Sequence, residues 1–290
     1  MIPVPAEPFS SPVINTPFPL YRLDGTQTLV HQIALPDYVR FLRDHNPRFF
    51  FQQLSTQLAA EGWLVIHLWE DVWRQRPDVV QSRLRALVGE SERIPARLTQ
   101  VRRIDQPTAV QFLTQNHLQV PLAGRYKYGL FLPARYFRVL SDDFRERNVP
   151  AGTTELLVAV ATFAAARTFA NTYRSVELIR FANRLNCTVV GGLDKLLKAF
   201  VSDHQPNDVM TYADRDWSDG RSYERLGFER QILTEPQQFW VKPGEWIRHY
   251  PHRLPDGLIE SQLPDMGYVA VYNAGSIKFV NVYEPQRRSA

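Results

Sequence analysis

Two features of this sequence offer chemistry first: the glycine pair Gly191-Gly192, and the acid Asp214 about twenty residues on. Residues 188–190 read as the end of a strand, and an apolar stripe at Leu193, Leu196, Leu197, Phe200 and Val201 then has helical spacing. A strand that feeds a glycine turn and then a helix leaves backbone N–H groups at a positive dipole end, which suits a phosphate, a carboxylate or a developing oxyanion. The alternative is a tight turn that only lets the helix pack on the strand. Asp214 follows a second expected strand at 209–212, placing an acid where open α/β sheets hold their sites. Its alternative role is to cap the short helix expected at 222–226, which Gly227 closes.

The elements that must position these residues can be read along the chain. Residues 1–28 are rich in proline and poor in periodicity, so they read as an extended surface arm. Two helices broken near Asn46-Pro47 follow, then an apolar strand beginning at Gly62 and an amphipathic helix over 77–88. Beyond Gln100 a helix is expected at 108–113, then an antiparallel pair at 128–132 and 155–163. Residues 239–241, 268–272 and 277–282 read as closing strands of the same sheet. The expected division is an arm at 1–28, a smaller α/β part at 29–99 and a larger α/β domain at 100–290.

With 290 residues and 44% hydrophobic content, the chain can bury a sizeable core. No run of about 18 apolar residues exists to span a bilayer, and the N-terminus lacks the pattern of a secretory signal, so the expected location is the cytoplasm. The lone cysteine, Cys187, excludes an internal disulfide and reads as a small core residue. A net charge of +4 does not by itself demand a polyanionic partner, but its distribution is uneven. Arg74, Arg76, Arg83, Arg85, Arg93, Arg97, Arg102 and Arg103 face only Asp78, Glu90 and Glu92 in the same stretch, an excess suited to a phosphate backbone or to a solvated helix face. Trp246, Arg248 and Tyr250, with His249, His252 and Arg253, interleave aromatics and cations in a way suited to stacking bases and contacting phosphates. A loop packing its aromatics on a sheet would show the same composition.

The segment GLDKLLKAF at 192–200, followed by SYERLGFE at 222–229, resembles the cofactor half of the GNAT acyltransferase fold. The family's usual Gln/Arg-x-x-Gly-x-Gly/Ala loop is replaced here by Asn186 to Gly192, so acyl-CoA is one candidate donor and the donor stays open. Glu177 to Phe181, Val189 to Leu197 and Thr211 to Tyr223 together resemble more closely the Mom family of bacteriophage DNA-modification proteins and the C-terminal domains of phage homing-endonuclease-like proteins. The segment 62–73 resembles the closing strand and helix of Vsr-like mismatch nucleases, without that family's carboxylate-bearing strand.

These resemblances imply a GNAT-like mixed, mostly antiparallel sheet with flanking helices, joined to a smaller N-terminal remnant of a nuclease that does not cut. They imply a cleft gathering His117, Arg180, Asp214 and Tyr223. A histidine or carboxylate there would take a proton from an attacking amine, a tyrosine would protonate the leaving group, and an arginine would hold an anion. Val190, Gly191, Gly192 and Lys195 would line the cofactor, and a metal at His117 and Asp214 stays open. Arg83, Arg85, Arg102, Arg103, Trp246, Arg248 and Tyr250 would contact DNA. The function implied first is transfer of an acyl-type group to a nucleobase amine in DNA. The alternatives are a non-catalytic DNA-binding accessory protein and an acetyl-CoA-dependent N-acetyltransferase acting on a small molecule or protein.

Overall fold

The computed structural model describes residues 2–11, 14–169 and 172–283. In chain order the strands and helices are β1 (Ala6–Phe9), β2 (Leu20–Leu23), β3 (Thr28–Ile33), α1 (Leu35–Phe41), α2 (Phe50–Ala60), β4 (Leu64–Trp69), α3 (Glu70–Gln75), α4 (Pro77–Leu87), β5 (Glu92–Pro95), β6 (Gln100–Arg103), α5 (Gln106–Asn116), β7 (Tyr126–Pro133), α6 (Asp142–Asn148), β8 (Glu155–Phe163), β9 (Arg167–Thr168), β10 (Arg174–Asn183), β11 (Cys187–Val190), α7 (Gly192–His204), β12 (Asp208–Asp214), α8 (Arg221–Glu224), β13 (Glu229–Leu233), β14 (Gln238–Val241), β15 (Arg248–His249), β16 (Val269–Tyr272) and β17 (Ser276–Val282). The fold is mixed α/β with mostly antiparallel pairing and flanking helices, the class expected from the sequence. No helix among the described residues is long and apolar enough to cross a membrane.

The chain divides into two compact units, residues 1–80, 212–221 and 231–278 in the first and 81–211, 222–230 and 279–290 in the second. The boundary expected at 99/100 therefore falls inside the second unit, and the expected domain at 100–290 is interrupted by two stretches that belong to the first. Sequence order hides such excursions, because a strand reads the same whichever core it joins.

In the first unit the sheet order is β1-β2-β3-β4, with β3 and β4 parallel and the other pairs antiparallel. The expected surface arm is thus a paired element, and Val4, Phe18, Leu20 and Leu23 are buried. Proline at position 8 is tolerated because β1 is an edge strand, where a missing N–H costs no ladder bond. Phe18, Tyr38, Phe51 and Trp69 form the centre of an aromatic core, to which Phe239, Val241 and Val271 also belong. Consequently β14 and β16 are not closing strands of the large sheet; they pair with each other and with β15, in the order β15-β14-β16. Their apolar faces are used up by the Trp69 core.

The large sheet has the order β13-β17-β12-β10-β8-β7-β6, with β9 beside β10, so β17 joins it as expected for 277–282. Pairing is antiparallel from β6 to β10, and β10 to β12 is parallel, the crossover being made through α7. Strand β8 is an almost continuous apolar run because both of its faces are covered. Val160 packs with Ala109, Phe112 and Leu113 of α5, while Phe163 stacks on Phe200 of α7 with ring centroids 3.9 Å apart. Of the stripe read at Leu193, Leu196, Leu197, Phe200 and Val201, the middle three are buried and contribute about 1.5–3 kcal/mol of transfer free energy each, while Leu193 and Val201 are half-buried. Cys187 is buried as well, and burial pushes its thiol up to about 12, which fits the expected core role.

Candidate functional site

Strands β10 and β12 pair in parallel over three residue pairs only, Ser175 with Asp208, Val176 with Val209 and Glu177 with Met210. Beyond them the Thr211 hydroxyl donates to the Leu178 carbonyl at 3.0 Å, a side-chain bond where the ladder would have continued with a backbone N–H. On the opposite edge of β10 the register with β8 shifts between Leu178 and Arg180. A bulge of this kind re-aims side chains and ends pairing, and it is frequent beside functional sites. The β10–β12 ladder thus ends at Glu177 and Met210.

Tyr223 hydrogen-bonds Thr211, and its phenol lies within electrostatic reach of Arg83 and Arg180. Its ring packs on Phe228 and Phe279, with centroids 5.7 and 5.6 Å away. Burial raises the phenol above its ordinary range, with the Thr211 bond and the two guanidinium charges offsetting part of that rise, so the hydroxyl keeps its proton at neutral pH. Two of the expected site residues, Tyr223 and Arg180, therefore come together in the second unit. Arg83, expected on a DNA-contacting face, joins them. Arg180 also donates to the carbonyls of Ile179 at 2.8 Å and Val120 at 3.3 Å, which fix the guanidinium over the bulge.

The glycine turn divides its labour between its two residues. Gly191 caps α7 in the left-handed region with φ +76°, where a side chain is strained, as the turn reading requires. Gly192 has no such backbone; a Cβ there would lie 3.0 Å from Val189 and 3.3 Å from Leu130, so its reason is close packing of helix on strand. Val190 is exposed beside the turn, and the N-cap residue Gly191 has no side chain to cap the first turn of α7. Lys195 is employed elsewhere, its ammonium donating to the carbonyls of Ala96 and Thr99 and tying that segment to the helix.

His117 ends α5, and its Nδ1 accepts the Gln119 N–H at 3.1 Å in a local turn. Asp214 belongs to the first unit. Its Oδ1 accepts the Asp216 N–H at 3.0 Å while its carbonyl accepts from Trp217 and Ser218, the pattern of a capping residue. Among the described residues no group of three or more metal-ligating side chains is placed to hold an ion.

The cations and aromatics assigned to DNA are largely engaged within the chain. Arg102 pairs with Glu155 and lies 3.8 Å over the Phe131 ring, and Arg103 pairs with Asp203 at 3.0 Å. Trp246 lies under Arg74, and Tyr250 packs edge-on against Phe239. Arg248 is turned inward, its Nε and Nη2 donating to the two oxygens of buried Asp71 at 2.6 and 3.2 Å. Trp246 and Tyr250 pack against the first unit's core. Arg85 is half-buried rather than part of an exposed basic face.

Around Arg248 the first unit holds polar groups that sequence reading missed. One guanidinium cannot neutralise every nearby carboxylate, and Asp71 takes it. The carboxyl of Asp216 is pushed up to about 8, first by burial and then by Asp214, and so keeps its proton at neutral pH. Alongside runs a chain from Thr16 through His31 and His67 to Ser55, with contacts of 2.8, 3.0 and 2.7 Å. Burial holds both imidazoles neutral, His67 at about 3. Between pH 4 and 6.5 the unfolded chain binds two protons on these histidines that the native unit refuses, and native Asp216 binds one that the unfolded chain lacks. Stability of the first unit should therefore rise toward pH 6.5 at about 1.4 kcal/mol per pH unit from this set, then fall from pH 6.5 to 8 as Asp216 alone opposes. Denaturant midpoints followed by tryptophan fluorescence across pH 4.5 to 8.5 check this; a midpoint still climbing at pH 8 would mean that Asp216 is already ionised.

No protein-family model matches the chain, and no curated protein matches it either. Solved structures do. A Bacillus subtilis acetyltransferase in complex with CoA aligns at 10% identity and TM-score 0.34, covering 64% of this chain and 99% of that one. The NatC complex bound to Gag peptide and CoA aligns at 12% identity and TM-score 0.34, with coverage of 64% and 99%. A structure described as histone acetyltransferase HPA2 and related acetyltransferase, from Corynebacterium glutamicum, aligns at 11% identity and TM-score 0.32, with coverage of 65% and 98%.

Proposed function

We propose that the protein is an acyltransferase that moves an acyl group from a thioester donor to an amine. The observation that carries this reading is the end of the β10–β12 ladder at Glu177 and Met210, with Thr211 bonded to Leu178 and Tyr223 to Thr211 in the same unit. The amine nitrogen attacks the thioester carbonyl, the C–N bond forms as the C–S bond breaks, Tyr223 gives its proton to the departing thiolate, and the amine's surplus proton leaves to solvent. The first N–H groups of α7, with the left-handed Gly191 before them, would bind the donor's pyrophosphate.

An amine on a small molecule or a protein is the better-supported acceptor, because Arg248, Trp246 and Tyr250 are held by partners within the chain. The deciding experiment offers acetyl-CoA with polyamines, lysine-containing peptides and duplex DNA in parallel, and identifies products by mass spectrometry. Acetylated polyamine or peptide is the expected result. Acetylation of DNA alone would return the acceptor to a nucleobase amine, and no transfer to any amine would overturn the acyltransferase reading.

A further inference from the structure

A second pocket lies wholly within the first unit. Strands β3 and β4 run parallel with Gln32 beside Leu68, and at their carboxyl ends a cavity of about 240 Å³ opens between Gln32, Ile33, Leu68, Glu70, Trp73 and Arg74. Its wall carries one charge of each sign, and each is held by a third group. Glu70 accepts the Leu35 N–H on Oε2 at 3.0 Å, which fixes the carboxylate. Arg74 stacks over the Trp246 ring at 5.4 Å, and Trp246 itself sits at φ +61°, a left-handed backbone that a tryptophan adopts only under constraint. Between the two charges the contact is long, 3.3 Å from Nη2 to Oε1. An exposed pair of that geometry is worth little, so it can be parted by a ligand at small cost.

We propose that this pocket binds a free α-amino acid with an apolar side chain, its carboxylate on Arg74 and its ammonium toward Glu70. A simple anion would meet Glu70, and a simple cation would meet Arg74. A ligand with a carboxylate and an ammonium on neighbouring carbons satisfies both supports at once. Ala34 and the Trp73 ring supply the apolar part of the wall, and the volume admits a side chain of leucine size.

The test uses the full chain with L-leucine, 4-methylpentanoate and 3-methylbutylamine as probes, followed by titration calorimetry and by the melting temperature, which rises for any ligand that prefers the native state. Saturable binding of L-leucine is expected, with the two singly charged analogues at least tenfold weaker. Arg74→Gln, at an exposed position, should melt as the parent does and bind L-leucine at least tenfold more weakly; Glu70→Gln should do the same to binding. Equal affinity for 4-methylpentanoate would make the pocket a plain anion site and overturn the proposal. So would the absence of saturable heat from L-leucine up to about 10 mM, a concentration that would reveal even millimolar affinity.

Discussion

An Arg248→Met protein is expected to lose about 3–5 kcal/mol of stability in its first unit at pH 7, the largest loss that a single substitution in this cluster should give. The change removes a guanidinium whose two bonds satisfy both oxygens of Asp71, a side chain 1% exposed. Asp71 is then left buried, with neither of its oxygens bonded to a counter-charge. Replacing both partners, as in Asp71→Leu with Arg248→Met, should recover most of the stability, since apolar groups of similar volume are tolerated where one unpaired charge is not. Urea unfolding of the two single variants and the double variant measures the cycle. Additive losses in the double variant would show that the pair is not the unit of stabilisation.

That cluster was illegible in the sequence for a definite reason. Asp71 and Arg248 are 177 residues apart, and neither spacing nor local composition joins them. Asp214 could be seen beforehand because it ends a strand, whereas nothing local to the sequence marks Asp216, two residues on, as buried. The same limit explains the misplacement of 239–241 and 268–272: their alternation announces strands, and only packing on Trp69 decides which sheet they join. By contrast the stripe at Leu196, Leu197 and Phe200 was legible, since helical periodicity is a local property and the facing run at 156–161 is apolar throughout. The glycine turn was half legible. Its left-handed member is Gly191, while Gly192 is demanded by contacts that no sequence pattern displays.

The sharpest test of the second unit is Tyr223→Phe, for which acyl transfer is expected to fall by about 10² or more in kcat, within the range for loss of a general acid. Shape is kept, because the new ring can still pack on Phe228 and Phe279. Thr211 retains its bond to the Leu178 carbonyl, so the lost hydroxyl should cost no more than about 1 kcal/mol of stability. Since burial holds the phenol above its ordinary range, the parent enzyme should show no loss of activity from this group on raising the pH from 7 to 9. A structural role for the hydroxyl would slow every donor alike. A proton donor to the leaving thiolate predicts instead that the defect depends on the thiol: it should be large with an alkyl thioester and shrink toward parity with an aryl thioester, whose thiolate departs without protonation. Single-turnover rates with both donors, measured for parent and variant, separate the two roles. An equal defect with both would leave Tyr223 as a positioning residue for Thr211 and Arg180, and the departing sulfur would then need its proton from water.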